Sequence, residues 1–214
     1  MAPCINQVAI AAVQIVMNNT LRHYGALSAY GSDIPIACTG IISKVNQVFM
    51  AICIGISQGS QPILGFNYGA EKYSRVRQTY RYSVTLCTVI ATIFFICFQF
   101  FPHQIVGIFG NGSDLYFHFA EKYLRIFMLM TFANGIQPMS ACFFTSIGKA
   151  RLGVIMSLTR QVLFLLPLIV IFPVFFGIDG VMYAGPIADT SAFVLAVVFA
   201  RRELGVMKAA EQNA

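Results

Sequence analysis

Apolar residues in this chain gather into long blocks, and the polar residues between them are few. Neither the alternation of a half-buried strand nor the narrow stripe of a surface helix runs through these blocks, so a uniformly apolar helix is the element they predict. Crossing the hydrocarbon of a bilayer takes about 20 mostly apolar residues. Six stretches meet that description, at 4–24, 34–57, 82–101, 119–143, 157–176 and 184–200. The clearest are V-T-L-C-T-V-I-A-T-I-F-F-I-C-F-Q-F-F and V-L-F-L-L-P-L-I-V-I-F-P-V-F-F, the third and fifth. The first begins without a basic leader or a small-residue cleavage motif, which favours an uncleaved span over a signal peptide. The connections are short. The longest, Phe101 to Leu115, suggests an interfacial turn around Pro102 and Gly110-Asn111-Gly112. The pattern therefore predicts one all-α polytopic membrane domain over 1–204, followed by a short tail over 205–214 whose final A-A-E-Q-N-A is expected to fray.

Composition agrees and removes alternatives. Of 214 residues 57% are hydrophobic and 10% charged, with a mean hydropathy of +0.73, whereas soluble domains carry about 25% charge. The net charge of +6 raises nucleic acid as a partner, but its distribution argues for topology. Lys72, Arg75, Arg77, Arg81, Lys149, Arg151, Arg160, Arg201, Arg202 and Lys208 are ten of the 14 basic residues, and a six-span count puts them all on one side. Asp33, Asp114 and Asp179 fall on the other, with Arg22 at its edge. Basic loops stay in the cytoplasm, so both termini are expected there, in a multi-pass protein of the cell membrane. Tyr24, Tyr30, Tyr68, Tyr73 and Tyr183 near segment ends fit interfacial anchoring. The cysteines (Cys4, Cys38, Cys53, Cys87, Cys97, Cys142) lie in or beside apolar runs without metal-ligand spacing and read as small buried thiols.

Enzyme chemistry finds no footing. G-I-S-Q-G lies in a long apolar run and not at a strand-to-helix turn, no phosphate loop appears, and His23, His103 and His118 sit at segment ends. No cofactor or metal is expected. The polar residues inside the spans carry the functional question, because unpaired polar groups are costly in hydrocarbon. Gln7, Gln14 and Asn18 share one face of the first helix while Asn6 lies off it; a transport cavity and interhelical hydrogen bonding both account for them. Lys44 lies too deep for easy snorkelling and calls for an acidic partner or a water-filled cleft. Asn134 and Gln137 are further cavity candidates. Glu121 stands four residues before Arg125, a spacing that predicts a local pair. Asp189, five residues into the last run, is either a functional or an interfacial carboxylate. Pro138, Pro167, Pro173 and Pro186 mark kinks or boundaries.

The most unusual stretch is G-I-S-Q-G-S-Q-P-I-L-G-F-N-Y-G-A, Gly55 to Ala70, just before Lys72, Arg75 and Arg77. Pro62 disfavours helical geometry at Gln61, and Gly55, Gly59, Gly65 and Gly69 permit close packing or turns. A helix end acting as a hinge and packing element, with Pro138 as another, is the expectation. The stretch, with the E-K-Y-S-R-V-R after it, also resembles the end of the eighth helix and cytoplasmic exit of multidrug and toxic compound extrusion (MATE) transporters. Further motifs match in order: N-N-T-L-R-H-Y-G-A-L-S-A-Y-G, G-I-I-S-K-V-N-Q-V-F-M, Y-L-R-I-F-M-L-M-T-F-A-N-G-I-Q-P-M, F-T-S-I-G-K-A-R-L-G-V-I-M-S-L-T-R-Q and G-V-M-Y-A-G-P-I-A-D-T-S-A-F. The resemblance covers roughly 3–204.

That resemblance implies the C-terminal six-helix lobe of a twelve-helix antiporter, exporting organic cations or amphipathic drugs against protons or sodium. It implies an N-terminal lobe, or a second copy, as partner beside the lipid bilayer. Some relatives carry a coupling carboxylate in the helix corresponding to Pro3–Leu21, where this chain has only Asn and Gln. Asp189 and Glu121 are left as its local cation-coupling candidates. The rival expectation is a non-transporting packing protein, or an inert fragment that needs a separate lobe.

Overall fold

The computed structural model describes residues 2–109 and 112–212, with side chains from Asn6 onward. Every regular element is helical: α1 (Ala2–Ala26), α2 (Asp33–Gly69), α3 (Tyr73–Phe100), α4 (Pro102–Phe109), α5 (Asp114–Phe127), α6 (Thr131–Asn134), α7 (Ile136–Ser146), α8 (Ala150–Leu158), a π-helical segment (Thr159–Leu165), α9 (Leu166–Phe176) and α10 (Ile178–Gln212). Among the described residues, four helices are long and apolar enough to cross a membrane: α2, α3, the run Ala150–Phe176 and α10. A fifth crossing forms if α5 and α6–α7, bent by 48° at their junction, act as one broken span. The expected count of six is thus not reached on these criteria. The shortfall is α1, 25 residues long but diluted by Asn6, Gln7, Gln14, Asn18 and Asn19.

Exposure runs inside out. Leu86, Val89, Ile93 and Ile96 of α3 and Val170, Ile171, Val174 and Phe175 of α9 all point outward, a surface fit for lipid tails and too apolar for water. Thr88 and Thr92 on the same side of α3 satisfy their hydroxyls on the carbonyls four residues back, at 2.8 Å each. Inside, α5 buries Tyr116, Phe119, Ala120, Tyr123, Leu124 and Phe127 at the spacing of a single helix face. Its start is fixed by Ser113, whose hydroxyl accepts from the Tyr116 N–H.

The buried residues form two clusters. The larger gathers α1, α2, α3, α5, α9 and the first half of α10 around Phe49, Phe119 and Tyr123; the smaller joins Leu64, Val76, Tyr80, Met139, Phe143, Phe144, Ile147, Met156 and Met207. Ionic contacts mark the two ends of the bundle. At one end Lys149 reaches Glu203 at 2.6 Å, and Arg77 pairs with Glu211. At the other, Lys122 meets Asp179 at 2.7 Å and His103 Nδ1 meets Glu121 at 2.7 Å.

The smaller cluster explains the largest departure from expectation at Gly55–Ala70. No break occurs there. Helix α2 runs unbroken for 37 residues, through Pro62 to Gly69. That is about 55 Å at 1.5 Å per residue, well beyond a ~30 Å hydrocarbon core. Its last turns lie over the smaller cluster, where burial of Leu64 outweighs the hydrogen bond lost at Pro62. Pro62 sits on the exposed side with Gln58, whose carbonyl lacks its usual donor. Of the four glycines only Gly65 is packed, its added Cβ lying 3.3 Å from the Ser146 carbonyl; Gly55, Gly59 and Gly69 face open space.

Other expectations shift similarly. The bend in the 119–143 region falls at residues 128–130, upstream of Pro138, which sits harmlessly in the first turn of α7. The expected interfacial turn is the helix α4, although Gly110 and Asn111 lie outside the described residues. The C-terminal end does not fray at residue 209: α10 is helical to Gln212, with Glu211 held by Arg77. Cys38, Cys53, Cys87, Cys97 and Cys142 are free thiols, the first three buried; the side chain of Cys4 lies outside the described set.

A close approach fixes the α9–α10 corner. A Cβ on Gly180 would come within 2.5 Å of the Phe172 backbone, so Gly180→Ala is expected to cost about 3 kcal/mol through overpacking. Gly55→Ala, with nothing near it, is expected to gain up to about 1 kcal/mol of helix propensity. Thermal unfolding of both variants in detergent should move the midpoint in opposite directions.

Candidate functional site

The most deeply buried charge among the described residues is Asp189, 2% exposed in the first half of α10. A lone carboxylate at that depth would be prohibitively desolvated, and its neighbours remove the problem. The Arg160 Nε–H donates to Oδ1, and the Asn134 Nδ2–H donates to Oδ2 at 2.7 Å. Arg160 is itself buried, 7% exposed, and Asn134 is 5% exposed. Three separate pieces of chain therefore converge: α10, the π-helical segment and the short α6.

Each element delivers its residue by a local irregularity. Leu166 N–H donates to the Gln161 carbonyl five residues back, so the helix is widened by one residue per turn beside Arg160. Asn134 ends the four-residue α6, framed by the turn at Met128–Met130 and by Gly135. A Cβ on Gly135 would lie 3.0 Å from the Cys87 carbonyl, so α6 presses directly on α3. Such wide and broken turns in membrane helices occur where side chains serve a site.

The sequence missed Arg160. Its charge and position read as part of the basic loops, whereas it lies within the Ala150–Phe176 run, paired with the last helix. The signal available was spacing alone: Arg160 lies nine residues beyond Arg151, too far along a helix to share its loop. Glu121 was also misassigned. It bonds His103 of α4 rather than Arg125. Among the described residues Arg125 makes no ion pair; its carbonyl accepts from Gln99.

The other polar candidates divide into two groups. Gln137 is buried and donates to the Met156 carbonyl at 3.1 Å, joining α7 to α8. Asn6, off the amide face as expected, accepts from Ser157 of α8 at 3.0 Å. In contrast, Gln7 is exposed, and Gln14 and Asn18 are half-buried at the edge of the α1 stripe that buries Val13, Met17 and Leu21. Lys44 is exposed and has no ion pair among the described residues. It heads a stripe on α2 directly opposite the buried Ile42, Phe49, Cys53 and Leu64: Lys44, Gln47, Ala51, Gly55, Gln58 and Pro62, all exposed. Spaced three and four residues apart, they form one polar and small-residue face. Among the described residues no group of three His, Cys, Asp or Glu side chains could hold a metal ion.

A helical bundle with a lipid-facing exterior, a buried ionic pair and an exposed polar face is that of a polytopic membrane protein. The comparisons name its kind: the MatE family model matches residues 4–171, and the chain belongs to that family. The multidrug export protein MepA of Staphylococcus saprophyticus is 26% identical over 186 residues, which is 86% of this chain and 40% of that protein. The MepA of Staphylococcus aureus strain MSSA476 is 25% identical over 184 residues, 86% of this chain and 39% of its own. This chain thus spans about two fifths of the curated relatives it matches. Among solved structures, an outward-facing multidrug resistance MATE family transporter superposes with a TM-score of 0.85 at 15% identity, covering 96% of this chain and 45% of that one. An inward-facing form gives 0.85 at 15% identity, over 95% and 46%. The fold is that of about half such a transporter.

The buried triad yields a stability test. Arg160→Met leaves Asp189 buried without its counter-charge and is expected to cost about 3–5 kcal/mol, whereas the paired Arg160→Met/Asp189→Leu should recover most of it. Unfolding midpoints of the two single variants and the double variant close the cycle.

Proposed function

We propose that the chain is the C-terminal half of a cation-coupled secondary active transporter that exports organic cations or amphipathic drugs. The observation that carries this reading is the exposed stripe on α2. Lys44 lies 11 residues into α2, about 17 Å from the helix start at 1.5 Å per residue, near the middle of a ~30 Å core. An ammonium, two glutamines and a row of small residues there would be poorly served by lipid. A water-filled cleft, closed by a partner half like that of the longer relatives, serves them well. Gln7, Gln14 and Asn18 on the edge of α1 extend the same polar surface.

In this reading α1, α2, α3, the bent α5–α7, the run α8–α9 and α10 are six spans of a plasma-membrane protein. Lys149 and Arg77 share one end of the bundle with the C-terminus of α10, which supports placing that end, and both termini, in the cytoplasm. The energy source is a proton or sodium gradient; the relatives' description as multidrug exporters supports the substrate class. Transport would proceed by rocking of the two halves about the cleft. Gly65, which lies against Ser146 of α7, and Pro138 within α7 would tune how α2 and α7 pack during that motion, while the exposed Gly55, Gly59, Pro62 and Gly69 would leave α2 free to pack closely on another element.

The rival reading is a chain that packs in the membrane without transporting, and one assay separates them. Expressed in a pump-deficient bacterium with an N-terminal half, the chain should give gradient-dependent ethidium efflux, and Lys44→Ala should lower the rate about tenfold, a transition-state cost of about 1.4 kcal/mol. Efflux no greater than an empty vector, with or without the second half, means the rival; efflux from the chain alone means two copies can build the cleft.

A further inference from the structure

We propose that the outward face of α3 holds an anionic phospholipid, with its phosphate on Arg81 and an acyl chain in a groove that begins one turn deeper. The inference uses the membrane setting of the bundle and is independent of the transport reading.

The groove supplies the hydrocarbon half of the site. Val84, Thr85, Thr88, Val89, Thr92 and Ile93 line an open channel of about 390 Å3 on the outside of α3, within the ~300–1,000 Å3 range of small-molecule sites. Every lining residue is β-branched, so the walls are stiff before anything binds. Their polarity is graded along the helix. The Thr88 and Thr92 hydroxyls donate to the Val84 and Thr88 carbonyls at 2.8 Å each, which satisfies them inside the helix. Thr85, nearer the polar end, makes no such bond among the described residues. A hydroxyl with a proton to give suits the ester carbonyl of a glycerolipid, and satisfied ones suit its chain.

The head end is defined by charge. Arg81, Thr85, Thr88 and Thr92 are spaced four, three and four residues apart, the repeat of one helix face. Arg77, one turn nearer the end of the bundle, is taken by Glu211. Arg81 is exposed and makes no ion pair among the described residues. An unpaired guanidinium at the edge of hydrocarbon calls for a counter-charge, and its fork matches a phosphate. Beside it Tyr82 is 67% exposed, its hydroxyl accepting from Gln78 at 3.2 Å, the placement of an aromatic at headgroup level. Lys72 and Arg75 are also exposed nearby, against Glu71. Basic residues near the surface favour an anionic headgroup over a zwitterionic one.

The dimensions agree. Arg81 and Ile93 are separated by about 18 Å along the helix at 1.5 Å per residue. One leaflet contributes about 15 Å of a ~30 Å core. The row therefore runs from headgroup level to about the midplane, the reach of one lipid chain.

The test is lipid retention by the full chain, purified in detergent, stripped of lipid and read by native mass spectrometry. Dioleoyl phosphatidylglycerol and dioleoyl phosphatidylcholine are offered in separate arms, with inorganic phosphate as a competitor in a third. The wild type should retain phosphatidylglycerol at least about fivefold more tightly than phosphatidylcholine. Arg81→Gln should bring the two lipids close to equal, and Arg81→Lys should keep most of the preference. Arg151→Gln, at the same end of the bundle but on α8, should leave it unchanged. Val89→Trp and Thr92→Phe, both at exposed positions, fill the groove and should each abolish the preferred retention. Equal retention of the two lipids by the wild type, equal losses from Arg81→Gln and Arg151→Gln, or retention that survives both groove variants overturns the proposal. Displacement by inorganic phosphate does so too, because a bare anion has no chain to lay in the groove.

Discussion

A charge in hydrocarbon has no water to return to, and the buried Asp189 organises the centre of this bundle for that reason. Its two oxygens are each answered by a different segment, so α10 cannot move without either α6 or the π-helical segment following it or letting go. The apolar contacts around it are non-directional and permit sliding; the two hydrogen bonds set the register. The desolvation that makes such a pair doubtful as a source of stability makes it effective as a constraint, because every arrangement that leaves either partner alone is heavily penalised. The local irregularities follow from it. A regular helix through residues 159–165 would aim Arg160 elsewhere, and a straight α5–α7 would carry Asn134 past Oδ2.

Around that centre the bundle solves two solvent problems at once. Its outer flank, α3 and α9, is apolar toward lipid, with threonine hydroxyls folded back on their own helix. At its basic end α2, α3, α7, α8 and α10 converge on the smaller core, fastened by Lys149–Glu203. The larger core stabilises the membrane-depth part, and the smaller one lets α2 and α10 continue as helices past the bilayer. One side satisfies neither solvent: the α2 face bearing Lys44, Gln47 and Gln58.

Much of this was legible in the sequence. Block hydrophobicity revealed helices, basic loops gathered at one end, and Asn6 separated from the amide line of α1 by its angle alone. The failures share one physical cause: sequence pattern reports local preference, while long-range partners decide. Pro62 and four glycines state a local dislike of helix, but Leu64 and its neighbours in the smaller core override it. Glu121 and Arg125 have the spacing of a pair, but His103, eighteen residues away, has the geometry. Arg160 reads as a loop charge until Asp189, 29 residues later, is folded against it.

The same contrast separates structural polar groups from available ones. Gln137, Asn6 and Asn134 looked like Gln14, Asn18 and Lys44 in the sequence, all amides or cations set in apolar surroundings. Folding divides them by whether a partner lies within the half-bundle. The first three spend their hydrogen bonds on Met156, Ser157 and Asp189, which makes them glue. The second three lie toward the unfilled side of α1 and α2. A polar group left over after a bundle has satisfied itself, at a depth where lipid cannot help, requires something outside the bundle. Asp189 differs from both groups, because its two oxygens are satisfied by two partners from separate segments, Arg160 in the irregular turn and Asn134 at the end of α6.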